Sequence, residues 1–288
     1  MLSHNKSSMG WTEPTGTLGE LVVEARQRAA LLQVDGANIR ARAVDARPAL
    51  PFARALRGEF IRVIAEVKRS SPSKGSIAPG LNALEQAGAY ERGGAAAVSV
   101  LTQPTRFGGS LSDLATVAHA CQLPVIRKDF LVDPLQLWEA RSAGASAALL
   151  IVRALSPDML PRMVDTALEA GLETLVEIRD LQELERALVA NAMVIGVNNR
   201  NLETLVIDPS TAPRVIRDIP SDRIAVAESG MRSADDISEV RLAGADAILV
   251  GSAVSAAARP EASVRDLSTI YRIARPTGPA SAGSSGAS

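Results

Sequence analysis

Residues 146–198 read SAALLIVRALSPDMLPRMVDTALEAGLETLVEIRDLQELERALVANAMVIGVN, and this stretch decides the fold. Three short apolar segments, SAALLIV at 146, LETLVEI at 172 and MVIGVN at 193, alternate with two amphipathic segments that are long enough to be helices. Short, nearly continuous apolar strands are typical of a parallel sheet that is covered on both faces. The stretch therefore predicts repeated strand–helix units with parallel strands.

The same unit extends in both directions along the chain. Five further apolar segments, RVIAEV, AAVSVL, LPVIRK, RIAVAES and DAILVG, begin at residues 62, 96, 123, 223 and 246. Eight such units within about 200 residues are typical of a TIM barrel. The alternative is a doubly wound open sheet, which usually has fewer strands, and no GxGxxG follows the first strand to mark a dinucleotide site. We predict an α/β fold, a (β/α)8 TIM barrel with an N-terminal helical extension.

Four regions are expected along the chain. Residues 1–16 are polar and residues 276–288 (PTGPASAGSSGAS) are rich in proline, glycine and serine, so both are predicted to be disordered. Residues 17–60 are predicted to be a helical extension, because apolar residues recur with a helical period over 18–43. Residues 61–275 are then the barrel itself.

Composition excludes several classes of protein. The chain has 31 basic and 32 acidic residues among 288, and a net charge of −1 provides no basic field for nucleic acid or an anionic membrane. One cysteine, Cys121, excludes a disulfide framework and a multi-cysteine metal site. The longest apolar run, residues 147–152, is too short to cross a bilayer, and no secretory signal is visible at the start. We expect a soluble, cytoplasmic enzyme or binding protein.

Lysine is rare, which makes the position of each lysine informative. Four of the 31 basic residues are lysine and 27 are arginine. A desolvated lysine can release and take back a proton, whereas arginine stays protonated. Lys68 and Lys128 fall at the ends of the first and third predicted strands, where a TIM barrel carries its catalytic groups. We interpret them as candidate catalytic residues, with chance placement as the alternative.

Carboxylates occur at the same ends of the strands. Glu66 lies two residues before Lys68 and so points the same way on a strand, and Glu177 and Glu228 lie near the ends of the fifth and seventh strands. Salt bridging inside the barrel mouth is one interpretation of these glutamates. Tuning of lysine pKa values is a second, and the two are compatible. Charges on otherwise buried strands are costly unless paired, which favours a functional site.

The last three strands are followed by small or polar residues. These residues are Asn198, Arg200, Ser229, Gly230, Gly251 and Ser252. Backbone N–H groups after the seventh and eighth strands form the usual phosphate cradle of a TIM barrel, so Gly230, Gly251 and Ser252 predict a phosphate site. A pair of ordinary turns is the alternative.

Two loops add candidate ligand contacts. The loop SSPSKG at residues 70–75, which contains Ser71, is polar and flexible enough to close over a ligand. Phe107 and Phe130 each follow a strand end. They either line an apolar pocket for an aromatic substrate or pack within their own loops, and the sequence leaves both interpretations open.

At these residues the chain resembles the indole-3-glycerol-phosphate synthase family of tryptophan biosynthesis. The matching segments, in order, are IAEVKRSSPSKG (64–75), SVLTQPTRFGGS (99–110), LPVIRKDFLVDPLQ (123–136), LVEIRDLQEL (175–184), IGVNNRNLETLVID (195–208), AESGM (227–231) and ILVGSAV (248–254). They extend over essentially the whole predicted barrel. The preceding helical segment is similar to the N-terminal helices of that family, which implies that residues 17–60 cap the mouth of the barrel.

The resemblance implies a reaction and a division of roles. Members close the ring of 1-(2-carboxyphenylamino)-1-deoxyribulose 5-phosphate and remove carbon dioxide and water, with no metal or organic cofactor. By matching position, Lys128 is implied as the general acid of ring closure and Glu177 as the group that acts in dehydration. Lys68 is implied to hold the anthranilate carboxylate, and Glu66 to orient the lysines. The remaining implied contacts to substrate hydroxyls, carboxylate, ring and phosphate come from Asn198, Glu228, Ser229, Arg200, Ser71, Phe107, Phe130, Gly230, Gly251 and Ser252.

Three positions depart from the family pattern, and several alternatives stay open. Gln103 stands where an acidic residue is common, Arg106 replaces one member of a Phe-Phe pair, and Arg179 replaces a frequent histidine. The competing interpretations are a phosphoribosylanthranilate isomerase, a non-catalytic phosphate-binding relative, and a duplicate enzyme for a substituted anthranilate. The isomerase resemblance would need a cysteine at the end of the first strand. We expect a small phosphorylated substrate, no nucleic-acid or membrane partner, and a monomer or weak homodimer.

Overall fold

The fold was obtained as a computed structural model, which describes residues 11–231 and 233–275. The tail predicted over 276–288 and most of the segment predicted over 1–16 lie outside the described residues. Within the described part of the chain, no helix combines the length and hydropathy needed to span a bilayer.

Eight parallel strands close into one barrel. They are β1 (Arg62–Val67), β2 (Ala97–Leu101), β3 (Val125–Lys128), β4 (Ala147–Ile151), β5 (Glu173–Ile178), β6 (Val194–Asn198), β7 (Ile224–Glu228) and β8 (Ala247–Val250). Each strand pairs with its neighbours in sequence, and β1 closes the barrel by pairing with β8 as well as with β2. The TIM barrel predicted from the sequence is confirmed, and every strand lies inside its predicted segment.

Thirteen α-helices surround these strands within the described residues. They are α1 (Gly16–Leu32), α2 (Gly36–Asp45), α3 (Phe52–Ala55), α4 (Ala83–Arg92), α5 (Pro104–Phe107), α6 (Leu111–Ala120), α7 (Pro134–Ser142), α8 (Met159–Glu169), α9 (Leu181–Val189), α10 (Thr211–Ile216), α11 (Ala234–Leu242), α12 (Ser252–Ser255) and α13 (Pro260–Ser268). Side-chain caps define several starts. Asp180, for example, accepts a hydrogen bond from the backbone N–H of Glu183 at the start of α9.

Alternation along each strand separates two apolar layers. On β1, Val63, Ala65 and Val67 belong to the layer between the strands and the outer helices. Ile64 belongs to the second layer, which fills the barrel interior. Because successive side chains of a strand point to opposite faces, Glu66 shares the inward face with Ile64. The barrel interior is therefore apolar towards the amino ends of the strands and charged near their carboxyl ends.

The N-terminal segment closes both ends of the barrel. Leu18, Leu21 and Val22 of α1 join the interior apolar layer, as do Phe52 and Leu56 around α3. α1 lies at the carboxyl ends of the strands, where it contributes to the cavity described below. α3 lies at the opposite end, where the backbone N–H of Ala53 donates to the carboxylate of Glu173, the first residue of β5.

The helical period predicted over residues 18–43 is interrupted in the structure. A 3₁₀ turn, Gln33–Asp35, separates α1 from α2. α2 packs against α7, and a Cβ at Gly36 would lie 3.3 Å from Leu135 Cδ2. A glycine at the first residue of α2 allows this close approach, which the apolar period alone does not reveal.

Candidate active site

The charged ends of the strands surround a cavity of about 710 Å³, which we call the main cavity. Ten of the fourteen predicted site residues line it: Glu66, Lys68, Ser71, Phe107, Lys128, Phe130, Asn198, Arg200, Ser229 and Ser252. Thr17 and Leu21 of α1 also line the cavity, and both lie in the segment that was predicted to cap the barrel, although neither was predicted as a site residue. The residues come from six strand ends and the helix that covers them, which is where a TIM barrel carries its active site.

Lys128 lies at the centre of the buried charges. Its Nζ is 3.4 Å from Glu177 Oε2 and 3.6 Å from Glu228 Oε2. Burial alone would lower the pKa of Lys128, but Glu177, Glu228 and Glu66 together raise it above its ordinary value. The lysine is therefore an ammonium group held by carboxylates. It is placed to donate a proton or a charged hydrogen bond.

Glu66 and Lys68 form the second ion pair of the site. Lys68 Nζ donates to Glu66 Oε1 at 3.0 Å, and the hydroxyl of Ser99 donates to Glu66 Oε2 at 3.4 Å. Burial would raise the pKa of Glu66, but the charges of Lys68 and Lys128 outweigh it and hold the pKa below its ordinary value. Glu66 is therefore a carboxylate that both lysines share.

Glu228 behaves differently from Glu66 although both are buried. Burial, together with the negative charge of Glu177, raises the pKa of Glu228 to about 8. Its Oε1 atom is buried and has no hydrogen-bond partner in the described structure. Glu228 can thus exchange a proton near neutral pH, beside a lysine that is charged.

Two glycines leave the space that these carboxylates occupy. A Cβ at Gly196 on β6 would collide with Glu228 Oε1, and a Cβ at Gly251 would collide with Glu66 Oε1. Gly251 was predicted as a phosphate contact. It does not line the main cavity, and neither does Gly230.

Asn198 and Ser229 add polar groups to the lining of the main cavity. Asn198 Nδ2 donates to Glu177 Oε1 at 3.0 Å, and the Asn198 Oδ1 atom accepts from the backbone N–H of Arg200 at 2.9 Å. Ser229 has a φ of 65°, in the left-handed region that is uncommon for residues other than glycine. Such strain occurs often at functional sites, and here it places Ser229 in the lining of the main cavity.

Aromatic and hydroxyl groups form the rest of the lining. The Phe107 and Phe130 ring centroids are 6.0 Å apart, and Lys68 Nζ lies 5.8 Å from the Phe107 centroid. The Ser71 hydroxyl is buried without a hydrogen-bond partner in the described structure. The two rings thus face the main cavity next to charged groups, an arrangement that suits a substrate with an aromatic ring and an anionic group.

An ion pair that the sequence did not predict fastens α1 over the cavity. Arg28 on α1 donates to both carboxylate oxygens of Asp129 at 2.7 and 2.8 Å, and Thr102 donates to the same carboxylate at 2.6 Å. Burial would raise the pKa of Asp129, but Arg28 and Arg127 hold it below its ordinary value. Since Asp129 follows Lys128 directly, the same contact fixes the backbone beside the central lysine. In the sequence, the only indication of this ion pair is that Asp129 follows two other charged residues, Arg127 and Lys128.

A second cavity, which we call the side cavity, opens next to the main one. It has a volume of about 540 Å³, and Glu177 and Glu183 both line it. Ile151, Asn198, Arg200 and Leu202 line both cavities, so the two are adjacent. Glu177 was predicted within the ligand site. The structure places it between the two cavities, in contact with Lys128 on one side.

Fold and site together define a class of (β/α)8-barrel enzymes with buried lysine–glutamate ion pairs at the mouth of the barrel. Residues 19–267 match the family described as indole-3-glycerol phosphate synthase. Indole-3-glycerol phosphate synthase 1 of Streptomyces coelicolor is 48% identical over 241 residues, covering 84% of this chain and 89% of the relative. The corresponding enzyme of Rhodococcus jostii is 47% identical over 234 residues, covering 81% and 87%. The chain belongs to the indole-3-glycerol phosphate synthase family, as the sequence resemblance predicted.

Solved structures with low identity share the fold alone. The 3-hexulose-6-phosphate synthase of Salmonella typhimurium has a TM-score of 0.59 at 15% identity, covering 72% of this chain and 97% of the other. The thiamine phosphate pyrophosphorylase of Pyrococcus furiosus has a TM-score of 0.55 at 17% identity, covering 74% and 95%.

Proposed function

We propose that the main cavity performs ring closure, decarboxylation and dehydration of 1-(2-carboxyphenylamino)-1-deoxyribulose 5-phosphate, with Lys128 as the proton donor. The activity, that of a carboxy-lyase of tryptophan biosynthesis, rests on membership of the family. The residue roles rest on the geometry. The observation that carries them is the Lys128 ammonium group held between Glu177 and Glu228 at the rim of a cavity that contains two aromatic rings.

In ring closure, a carbon of the aromatic ring attacks the substrate ketone and the carbonyl oxygen becomes an alkoxide. Lys128 donates a proton to that oxygen, and its partly buried position strengthens the interaction. Lys68 binds the carboxylate that later leaves as carbon dioxide, and Glu66 orients both lysines. After the transfer, the neutral amine of Lys128 lies next to Glu177 and Glu228, and the raised pKa of Glu228 lets this group exchange a proton near neutral pH.

Dehydration needs a base to remove a proton and an acid for the departing hydroxyl group. Glu177 serves as the base, since Asn198 and Lys128 hold its two oxygens in place. Lys128 or Lys68 supplies the proton to the hydroxyl group. Removal of hydroxide without such a donor would create a strong base in a water-poor cavity.

The remaining predicted residues bind the substrate in this proposal. Phe107 and Phe130 pack against the anthranilate ring, and Arg200 and Ser229 contact its polar groups. Ser71 and Ser252 take the phosphate with the backbone at Gly230 and Gly251. Ser71 supports this role, because its hydroxyl is buried without a partner in the described structure.

We further propose a cytoplasmic monomer or weak homodimer that acts on this small molecule without a cofactor, nucleic acid or membrane. Helix α1 supports a complete site within one subunit, since it covers the main cavity next to Lys68 and Lys128 of the barrel.

A fluorescence assay for indole-3-glycerol phosphate, with the unsubstituted substrate, tests the function directly. We expect product to form at enzymatic rates, between about 1 and 10³ per second. Absence of turnover with that substrate, together with turnover of a ring-substituted analogue, would instead support the duplicate-enzyme interpretation. Tight substrate binding without product would support the binding-protein interpretation.

A further inference from the structure

The proposed reaction consumes a proton that the active site has to obtain from solvent. The substrate carries an ionised carboxylate, and it leaves as neutral carbon dioxide. One proton is added to the alkoxide, one to the departing hydroxyl group, and one is removed by Glu177. The balance is a net uptake of one proton per turnover, with no oxidant or reductant involved. Since Lys128 and Glu177 are buried, a route for protons from solvent is needed.

The side cavity provides a route that does not cross the substrate. The proposed substrate site is the main cavity, whereas Glu177 lines the side cavity. About 140 Å³ of the side cavity can hold the centre of a water molecule, which is room for several water molecules. A chain of water molecules and carboxyl groups can carry a proton through such a cavity.

Glu183 is a titratable group of the side cavity that forms no ion pair in the described structure. It lies in the first turn of α9, and its Oε2 accepts a hydrogen bond from the backbone N–H of Arg179 at 2.7 Å. In the described part of the chain, no lysine or arginine lies within ion-pair distance of this carboxyl group. Burial, with the charges of Asp180 and Glu177, raises the pKa of Glu183 to about 7.

Charges of both signs surround this carboxyl group. The charged residues that face it are Glu177 on β5, Arg179 and Asp180 before α9, Arg186 on α9, Arg153 after β4, and Arg200 and Glu203 after β6. Arg153 is paired with Glu203 at 2.9 Å, so it is not available to hold Glu183 as a permanent carboxylate. Glu183 can therefore take up and release a proton without breaking an ion pair.

We propose that Glu183 passes protons from solvent to Glu177 through the side cavity, an inference that rests on the proposed function. In each cycle a proton from a buffer acid or water protonates the Glu183 carboxylate. That proton then moves through water in the side cavity to Glu177, and from there to Lys128. Glu183 does not touch the substrate and acts only through Glu177.

The test is the Glu183→Gln variant, assayed in a dilute, bulky buffer at pH 7 and above. The glutamine oxygen can keep the hydrogen bond from Arg179, while the titratable proton is lost. We expect kcat to fall about tenfold, less than the 10²–10⁴-fold of a direct acid–base group, because water still reaches the cavity. Added imidazole is expected to restore kcat in proportion to its concentration, and the unmodified enzyme should not respond.

Glu185→Gln is the matched control, because Glu185 lies on the same helix and is exposed. It should keep the unmodified kcat and show no response to imidazole. An unchanged kcat for Glu183→Gln in dilute buffer would overturn the proposal, as would a loss that imidazole does not relieve. If Glu183→Gln fails to fold, Glu183→Ala enlarges the cavity for imidazole and is judged by the same rescue. An inactive unmodified enzyme would instead contradict the proposed function.

Discussion

Lys128 is a lysine whose charge is stabilised by its surroundings although it is buried. Three glutamates outweigh the effect of burial on its pKa, so the side chain remains an acid through the neutral range. Arginine would keep the charge, but its planar guanidinium group places its nitrogens differently from the lysine Nζ.

Substitution of Lys128 is therefore expected to remove turnover whether or not the charge is kept. We expect kcat to fall by about 10²–10⁴-fold in Lys128→Ala and by a similar factor in Lys128→Arg. Steady-state kinetics measure this, and circular dichroism checks that both variants retain the barrel. Near-normal turnover by either folded variant would remove Lys128 from the proposed mechanism.

Gly196 is a second residue that the site requires, because only glycine leaves space for the Glu228 carboxyl group. A Cβ there would collide with Glu228 Oε1 and lie 3.1 Å from Leu175 Cδ1. We expect Gly196→Ala to displace Glu228 from Lys128, to lower kcat more than it changes KM, and to cost about 1–3 kcal/mol of stability. Gly80→Ala is the control, because a Cβ at Gly80 would meet no atom within 4 Å. Equal kinetics for the two variants would mean that Glu228 does not need this space.

Helix α1 is held over the mouth of the barrel by the ion pair between Arg28 and the buried Asp129. The Asp129 side chain is fully buried and Arg28 is 27% exposed. Removing one partner of such a pair leaves the other charge buried and is usually costly. On the same helix, Arg26 pairs with Glu13 in solvent, where both side chains are more than half exposed.

This difference predicts two distinct outcomes on one helix. Arg28→Met should lower the free energy of unfolding by about 1–3 kcal/mol, less than for an isolated buried pair, because Arg127 and Thr102 still contact Asp129. Arg26→Met should lower it by less than about 1 kcal/mol. Because α1 lines the main cavity, Arg28→Met is also expected to raise KM. Urea denaturation and substrate titration measure the two effects, and equal stability of the two variants would show that the pair does not hold α1.

For the molecule as a whole, raised carboxyl pKa values make stability depend on pH in the neutral range. Glu183 and Glu228 have folded-state pKa values of about 7 and 8, above those of an exposed glutamate. Between about pH 4.5 and 8 the folded protein therefore binds more protons than the unfolded chain, so stability falls as pH rises. Asp129 and Glu66 have lowered pKa values in the folded protein. They therefore change stability only at acid pH, below the pKa values of the same groups in the unfolded chain.

We expect the free energy of unfolding of the unmodified protein to decrease from pH 5 to pH 8. In the Glu183→Gln variant this decrease should be smaller by about 3 kcal/mol, because residue 183 no longer titrates. Urea denaturation at each pH measures it, with Glu185→Gln as the reference variant. A variant curve parallel to that of the unmodified protein would show that Glu183 has an ordinary pKa in the folded state.

The barrel and the family were determined by the sequence itself. Strand-length apolar segments and helical periods repeat eight times, and that pattern depends only on neighbours along the chain. Lys68, Lys128 and the glutamates could be recognised because parallel strands in a barrel all end at the same rim, so position in the strand already implies position in space.

Only the tertiary structure decided which of these groups touch and what charge each one carries. The contact of Lys128 with Glu177 and Glu228, the space left by Gly196, and the Arg28–Asp129 pair join residues that are distant in sequence. Glu66, Glu183 and Glu228 are the same amino acid, yet their pKa values shift in different directions. Burial and neighbouring charge, which act through space over a few ångströms, set those shifts, and no local pattern of residues contains them.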